Sequence, residues 1–208
     1  FELHIIDGNG APPKFWSDLD LHAFDFGHSY MTAIFNAPDD PLSQSYFASL
    51  AAKVGEDRAK EILGVNRHNT IIYPSCSPHT SFQQWRVIRP LSVDRTLVEI
   101  FTFRLDGAPE ELLQRTFTYS NVVNSPSSIV MTDDVHVYAE CQKGLATQGG
   151  DWVSQHRNAG QDLPFSGADG GEIGVGTSEL PIRNQFRAWR EYMAGDEAET
   201  IPLQGSEL

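Results

Sequence analysis

Three β-rich stretches in quick succession, residues 69–73, 81–88 and 97–104, run directly into helical segments, and this order most constrains what the chain can fold into. Each stretch is rich in β-branched and aromatic residues, and Pro74, Pro90 and Asp94 punctuate them, which predicts three antiparallel strands. Leu97, Phe101 and Phe103 share one face of the last strand, as alternation requires of a half-buried sheet. Ala108-Pro-Glu-Glu111 then places proline at a helix start with acids behind it, predicting a helix to about Tyr119. Ser125-Pro126 opens a second helix, with Ile129, Val130, Asp133, Asp134, Val137, Tyr138 and Cys141 on overlapping faces and Gly144 near its end. Strands followed by helices in one chain define the α+β class.

The flanks are read the same way. Residues 1–40, rich in Gly, Pro, Asp and aromatics, predict short strands and loops. Residues 43–63 carry Phe47, Leu50, Val54 and Ile62 at helical spacing with Gly64 as a stop, predicting one helix. Residues 148–177 are Gly-rich and polar, and most of them are expected to form a long surface loop. A final helix is predicted over 182–193, with Arg183, Arg187 and Arg190 solvated beside a packed stripe of Phe186, Trp189 and Tyr192; a subunit interface is the alternative. Residues 194–208 form an acidic tail expected to be loose, leaving 1–193 as one domain.

Composition excludes several functions. A formal charge of −13 lacks the clustered cations that displace counterions from a phosphate backbone, so no nucleic-acid partner is expected. With 40% hydrophobic residues and no run near the ~20 needed to span a bilayer, no membrane segment is expected. Cys76 and Cys141 are the only cysteines, too few for a disulfide framework, and point to a reducing cytoplasm. Cys76-x-x-His79 stands alone, without a second Cys/His pair, and is not read as a metal pair. The chain begins at Phe1 without a visible targeting signal and reads as a fragment.

Chemistry concentrates at Asp133-Asp134. Acids near a helix start offset the macrodipole, which alone would account for the pair. Asp134, however, shares a face with Val130, Val137, Tyr138 and Cys141, and a carboxylate on an apolar face needs a partner such as a metal. Asp134 is therefore expected to point inward, with Asp133 more exposed.

The order of Asp133-Asp134, Tyr138, Glu140, Gln142, Gly144-Leu145, Asp151-Trp-Val153 and Ser178-Glu-Leu-Pro-Ile-Arg-Asn-Gln-Phe-Arg-Ala-Trp-Arg-Glu-Tyr-Met193 resembles the C-terminal part of Rieske non-haem iron oxygenase α subunits, the ring-hydroxylating dioxygenases. Arg67-His-Asn-Thr-Ile-Ile-Tyr-Pro74, Trp85-Arg-Val-Ile-Arg-Pro90 and Pro109-Glu-Glu-Leu-Leu-Gln-Arg-Thr-Phe117 extend the resemblance upstream. It implies a helix-grip (START/Bet v1-like) catalytic domain: a curved antiparallel sheet around a long C-terminal helix, with its N-terminal part missing. It also implies Asp134 as a ligand of mononuclear Fe(II), and a substrate pocket containing Asn69, His79, Thr80, Phe82, Asn124 and Val130.

The two imidazoles that complete such an iron site have no good match here. His22 and His28 read as ordinary strand or loop histidines, and the resemblance implies that the true ligands precede Phe1. A lone carboxylate does not hold Fe(II) tightly, so the fragment alone is expected to be inactive. The resemblance further implies a [2Fe-2S] Rieske cluster in the missing N-terminal domain, NAD(P)H electrons delivered by a reductase and often a ferredoxin, O2 and an aromatic substrate, and an α3 or α3β3 oligomer. The alternative function is a helix-grip module that binds an apolar ligand without redox chemistry. A hydrolase lacks support, as no Gly-x-Ser-x-Gly elbow is present.

Overall fold

The structure, a computed structural model, describes residues 18–32, 40–65, 67–80, 83–147, 149, 152–166 and 170–195. Strands β1 (Asp20–Ala23), β2 (Ser29–Thr32) and β3 (Arg67–Ile71) lead into β4 (Cys76–His79), β5 (Gln84–Ser92) and β6 (Arg95–Thr102). Helices α1 (Pro41–Val54) and α2 (Glu56–Leu63) separate β2 from β3. After β6 come α3 (Glu110–Asn124), α4 (Ile129–Leu145), β7 (Leu163–Pro164), β8 (Glu172–Val175) and α5 (Leu180–Ala194). One sheet has the order β3-β2-β1-β8-β7 and the other β4-β5-β6, with every pairing antiparallel. A bridge between Ile72 and Cys76 closes the turn from β3 to β4 and joins the two sheets in sequence.

Local chemistry explains the boundaries. Asp40 caps α1 by accepting from the amides of Leu42 and Ser43 at 3.0 and 3.1 Å. The helix expected over 43–63 is in fact two, because Gly55 adopts φ +89° between them. Ser128, not Ser125, caps α4, its hydroxyl accepting from Val130 N at 3.0 Å. β5 runs through Pro90 instead of ending before it; the pairing with β6 shifts register there, which absorbs the missing donor. The stretch 148–177 is not loop throughout, since β7 and β8 fall within it and β8 pairs with β1.

α5 is fastened at the β1–β2 turn. Leu180, Asn184 and Ala188 recur at four-residue spacing and are buried. Asn184 Nδ2 donates to the carbonyls of Phe24 and His28 at 2.9 and 3.0 Å. Gly27 sits beneath them at φ +84°, where an added Cβ would lie 2.8 Å from Tyr73 Cγ and 2.9 Å from Ala188 Cβ. Arg190 of α5 is exposed as expected, but Arg183, Arg187 and the aromatic stripe depart from the sequence expectation. Arg183 pairs with Asp162 at 2.5 Å and Arg187 with Glu172 at 2.9 Å, whereas Phe186, Trp189 and Tyr192 are the exposed side chains.

A second apolar contact lies under α1 and α3, where Tyr46, Ala108 and Leu112 pack with Leu42, Leu63 and Leu105. Arg115 ties these helices by donating to Asp40 at 2.9 Å. Thr116 reaches across to the residue before β5, its hydroxyl donating to the Gln83 side chain. The expected tail begins at 194; α5 still includes Ala194, and residues 196–208 lie outside the described residues.

Candidate functional site

The β4-β5-β6 sheet buries the face that its sequence pattern marks as polar. Antiparallel register sets His79 opposite Gln84, and Ser77 opposite Arg86, so all four project to one side. Ser77, His79 and Gln84 are buried, and Arg86 is half-buried. The opposite side carries Trp85 facing Phe101 across the strands, and there Phe101 is 50% exposed and Leu97 44%. The apolar face shared by Leu97 and Phe101 is thus real, but within the described residues it is the open one.

His68 on β3 meets this polar face, its ring edge-on to His79 at a centroid distance of 4.4 Å. Burial, with the charges of His68 and Arg86, pushes the His79 imidazole down to about 4. His68 is lowered by burial and by Arg86. Gln84 is fully buried, and both atoms of its amide lack a hydrogen-bond partner; the buried Arg86 Nε also lacks one.

The C-terminal half of α4 touches the turn between β5 and β6. Gln142 of α4 donates to the Val93 carbonyl in the β5–β6 turn at 3.4 Å. The Tyr138 phenol is raised by desolvation at its hydroxyl end although the side chain as a whole is 64% exposed, with Asp134 adding to the rise and Arg86 opposing it. Burial also raises Tyr119 of α3, against the pull of Arg86.

Asp133 and Asp134 are both half-buried, so burial does not separate them as expected. Only the first turns of α4 are covered, at Val130, Met131, Asp133 and Asp134, together with Gln142; Val137, Tyr138 and Cys141 on the Asp134 face are exposed.

The other candidate residues are dispersed. His79 is buried at the end of β4. Asn69 is exposed, with φ +44°, and Thr80 is exposed with its hydroxyl donating to the Arg67 carbonyl at 3.3 Å. Asn124 ends α3, its Nδ2 donating to Ser120 at 3.2 Å while its buried Oδ1 has no partner. Val130 is half-buried in the first turn of α4, and Phe82 lies outside the described residues. Two clefts of about 200 and 320 Å³ line α5, the first beside the Asp25–Gly27 turn and the second beside Asp162 and Glu172; neither is lined by a predicted pocket residue.

A carboxylate-and-imidazole metal site is not assembled: among the described residues no three His, Cys, Asp or Glu side chains gather to hold a cation. His22, on β1, stacks on Tyr30 at 4.5 Å with Phe165 edge-on at 4.8 Å, and His28 Nδ1 accepts from the Tyr73 amide at 3.0 Å. Cys76 and His79 alternate to opposite sides of β4, so they form no chelate. Sequence reasoning missed Gln84 and Arg86. Their signal was the two-residue alternation of polar groups on β5, which reads as a solvent face.

The fold is that of the catalytic domain of aromatic-ring dioxygenase α subunits. Naphthalene 1,2-dioxygenase with indole bound in the active site superposes with a TM-score of 0.71, at 16% identity, over 94% of this chain and 46% of that one. The Rhodococcus sp. naphthalene 1,2-dioxygenase bound to indole gives 0.69, at 15% identity, over 90% and 48%. In sequence, the chain is 32% identical over 152 residues to toluate 1,2-dioxygenase subunit alpha of Pseudomonas putida, covering 71% of this chain and 32% of that protein. It is 31% identical over 150 residues to the 2-halobenzoate 1,2-dioxygenase large subunit of Burkholderia cepacia, covering 69% and 32%. No protein-family model matches. The chain belongs to the α subunits of the Rieske-type ring-hydroxylating oxygenases and carries a portion of their catalytic domain. It spans about a third of the length of the curated relatives it matches.

Proposed function

We propose that this chain is the catalytic-domain portion of a multicomponent oxygenase that hydroxylates the ring of an aromatic carboxylic acid. The observation that carries this reading is the joint agreement of sequence and fold with oxygenase large subunits; the names of the two sequence relatives, toluate and 2-halobenzoate dioxygenases, support the substrate class. In this reading Asp134 supplies the carboxylate ligand of a mononuclear Fe(II), and the imidazole ligands come from outside the described residues. The iron, when bound, supplies the activation of O2.

This chain's own part is positioning. Ser128 fixes the start of α4, and the first turns of that helix hold Asp134 half-buried. The buried face of β4 and β5 provides a wall with few charges, suited to an aromatic ring with one polar substituent. Electrons come from NAD(P)H through a reductase, often with a ferredoxin, and a [2Fe-2S] Rieske cluster in another domain; the assembly is α3 or α3β3 and cytoplasmic. No helix among the described residues is long and apolar enough to cross a membrane.

The experiment is Asp134→Ala beside Asp133→Ala in the assembled oxygenase, reading iron content and product formation. Asp134→Ala is expected to lose both while circular dichroism stays native, because it removes the anionic ligand. Loss confined to Asp133→Ala moves the ligand by one residue. Normal iron and turnover in both variants defeats the mechanism.

A further inference from the structure

We propose that Arg86 and Gln84, on the buried face of β5, hold the carboxylate of the aromatic substrate. This rests on the oxygenase reading above and names the residues that select the substrate's charged group.

The case for Arg86 begins with a comparison of cations. Among the described residues Arg86 and Arg183 are the only Lys or Arg side chains withdrawn from full exposure. Arg183 is neutralised by Asp162 at 2.5 Å. Arg86 has neither an ion pair nor a hydrogen bond among the described residues, and its Nε is sealed from solvent without a partner. A half-buried guanidinium without a counter-ion is costly, and its planar fork of donors matches a carboxylate better than any other anion-binding side chain.

Gln84 supplies an independent observation. It is fully buried, and neither its Nε2 nor its Oε1 has a partner, although buried amides are nearly always satisfied. Gln84 and Arg86 are two apart on one strand, so they project to the same side about 7 Å apart at the backbone, within convergence of two long side chains. The neighbours on this face suit a ring rather than a second charge. His79 is opposite Gln84 in the register, His68 lies edge-on to it, and Ile100 is opposite Arg86.

The test measures equilibrium binding of benzoate and of toluene, a neutral arene of the same size, to the assembled oxygenase carrying wild-type, Arg86→Met, Arg86→Lys or Gln84→Met subunits. Removing a charged hydrogen-bond donor costs roughly tenfold to a hundredfold in affinity. Arg86→Met is expected to lose benzoate binding by about that factor while toluene binding changes less than about threefold. Arg86→Lys is expected to recover part of the loss, and Gln84→Met to show a smaller benzoate-specific loss. Near-native circular dichroism and iron content in Arg86→Lys guard against misfolding as the cause. Unchanged benzoate affinity in Arg86→Met, or equal losses for benzoate and toluene, overturns the proposal and leaves the oxygenase reading standing. A wild-type enzyme that hydroxylates neutral arenes but binds no benzoate does the same. A wild-type assembly that binds neither compound overturns both.

Discussion

Acidification from pH 7 toward 4 should destabilise this domain through His79, by an amount the structure allows to be worked out. The imidazole is 5% exposed and is pushed down to about 4 by burial, His68 and Arg86. In the unfolded chain it returns to its ordinary value near ~6.5. The folded value is thus depressed, and the unfolded state takes up the proton first. Stability associated with neutral His79 is whole above about pH 6.5, falls as the pH drops between 6.5 and 4, and levels off below. Between two and three pH units at ~1.4 kcal/mol each gives about 3 kcal/mol, a large share of a typical folding free energy of roughly 5–15 kcal/mol. His68 is shifted in the same direction, so it adds to the same limb. The assay is the thermal midpoint of the subunit at half-unit pH steps, for wild type and His79→Gln. Carboxylates titrate in both, so the informative quantity is the difference in slope. The variant should lose much of the wild-type slope between pH 6.5 and 4, whatever its absolute stability. Parallel slopes refute the assignment of a buried neutral imidazole.

Two substitutions test how α5 is held. Gly27→Ala should destabilise by about 2–4 kcal/mol, because the side chain enters a left-handed backbone and meets Tyr73 and Ala188 at under 3 Å; urea unfolding checks it, and a loss below about 0.5 kcal/mol would show that the turn is free to shift. Asn184→Ala should cost about 2–4 kcal/mol by leaving the Phe24 and His28 carbonyls without their shared donor. Amide exchange over residues 24–28 should then accelerate while exchange in α3 stays unchanged.

Helices were legible from sequence where capping and period agreed. Pro109 with Glu110 and Glu111 marks the start of α3, and the sequence places α5 within two residues of its observed limits. Gly55 was not legible as a break, because the apolar spacing continues through it; only its positive φ divides α1 from α2. β4 escaped notice because Cys76-Ser-Pro-His79 has neither alternation nor β-branched residues, and exists through its pairing with β5. β7 and β8 were hidden likewise in a Gly-rich stretch. The stripe on α5 misled for a different reason: alternating arginines and aromatics do not say which set has partners. Asp162 and Glu172, remote in sequence, decide it.

The same logic governs the candidate site. Binary patterning assumes that the polar side of a strand meets water, and β5 violates it: Gln84 is fully buried while its neighbour Trp85 is 38% exposed. Burying an amide and a guanidinium costs stability unless something satisfies them, and a sheet that accepts this on one face while opening its apolar face is arranged around something other than its own core. In the proposal above, a carboxylate ligand would supply acceptors to Gln84 Nε2 and to Arg86. Among the described residues the Asp134 helix is covered in its first turns and at Gln142 but open at Val137 and Tyr138, so the carboxylate's position is set by the Ser128 cap and Val130 rather than by a continuous apolar seam. Asp134 is therefore placed by local helix chemistry and Arg86 by strand register.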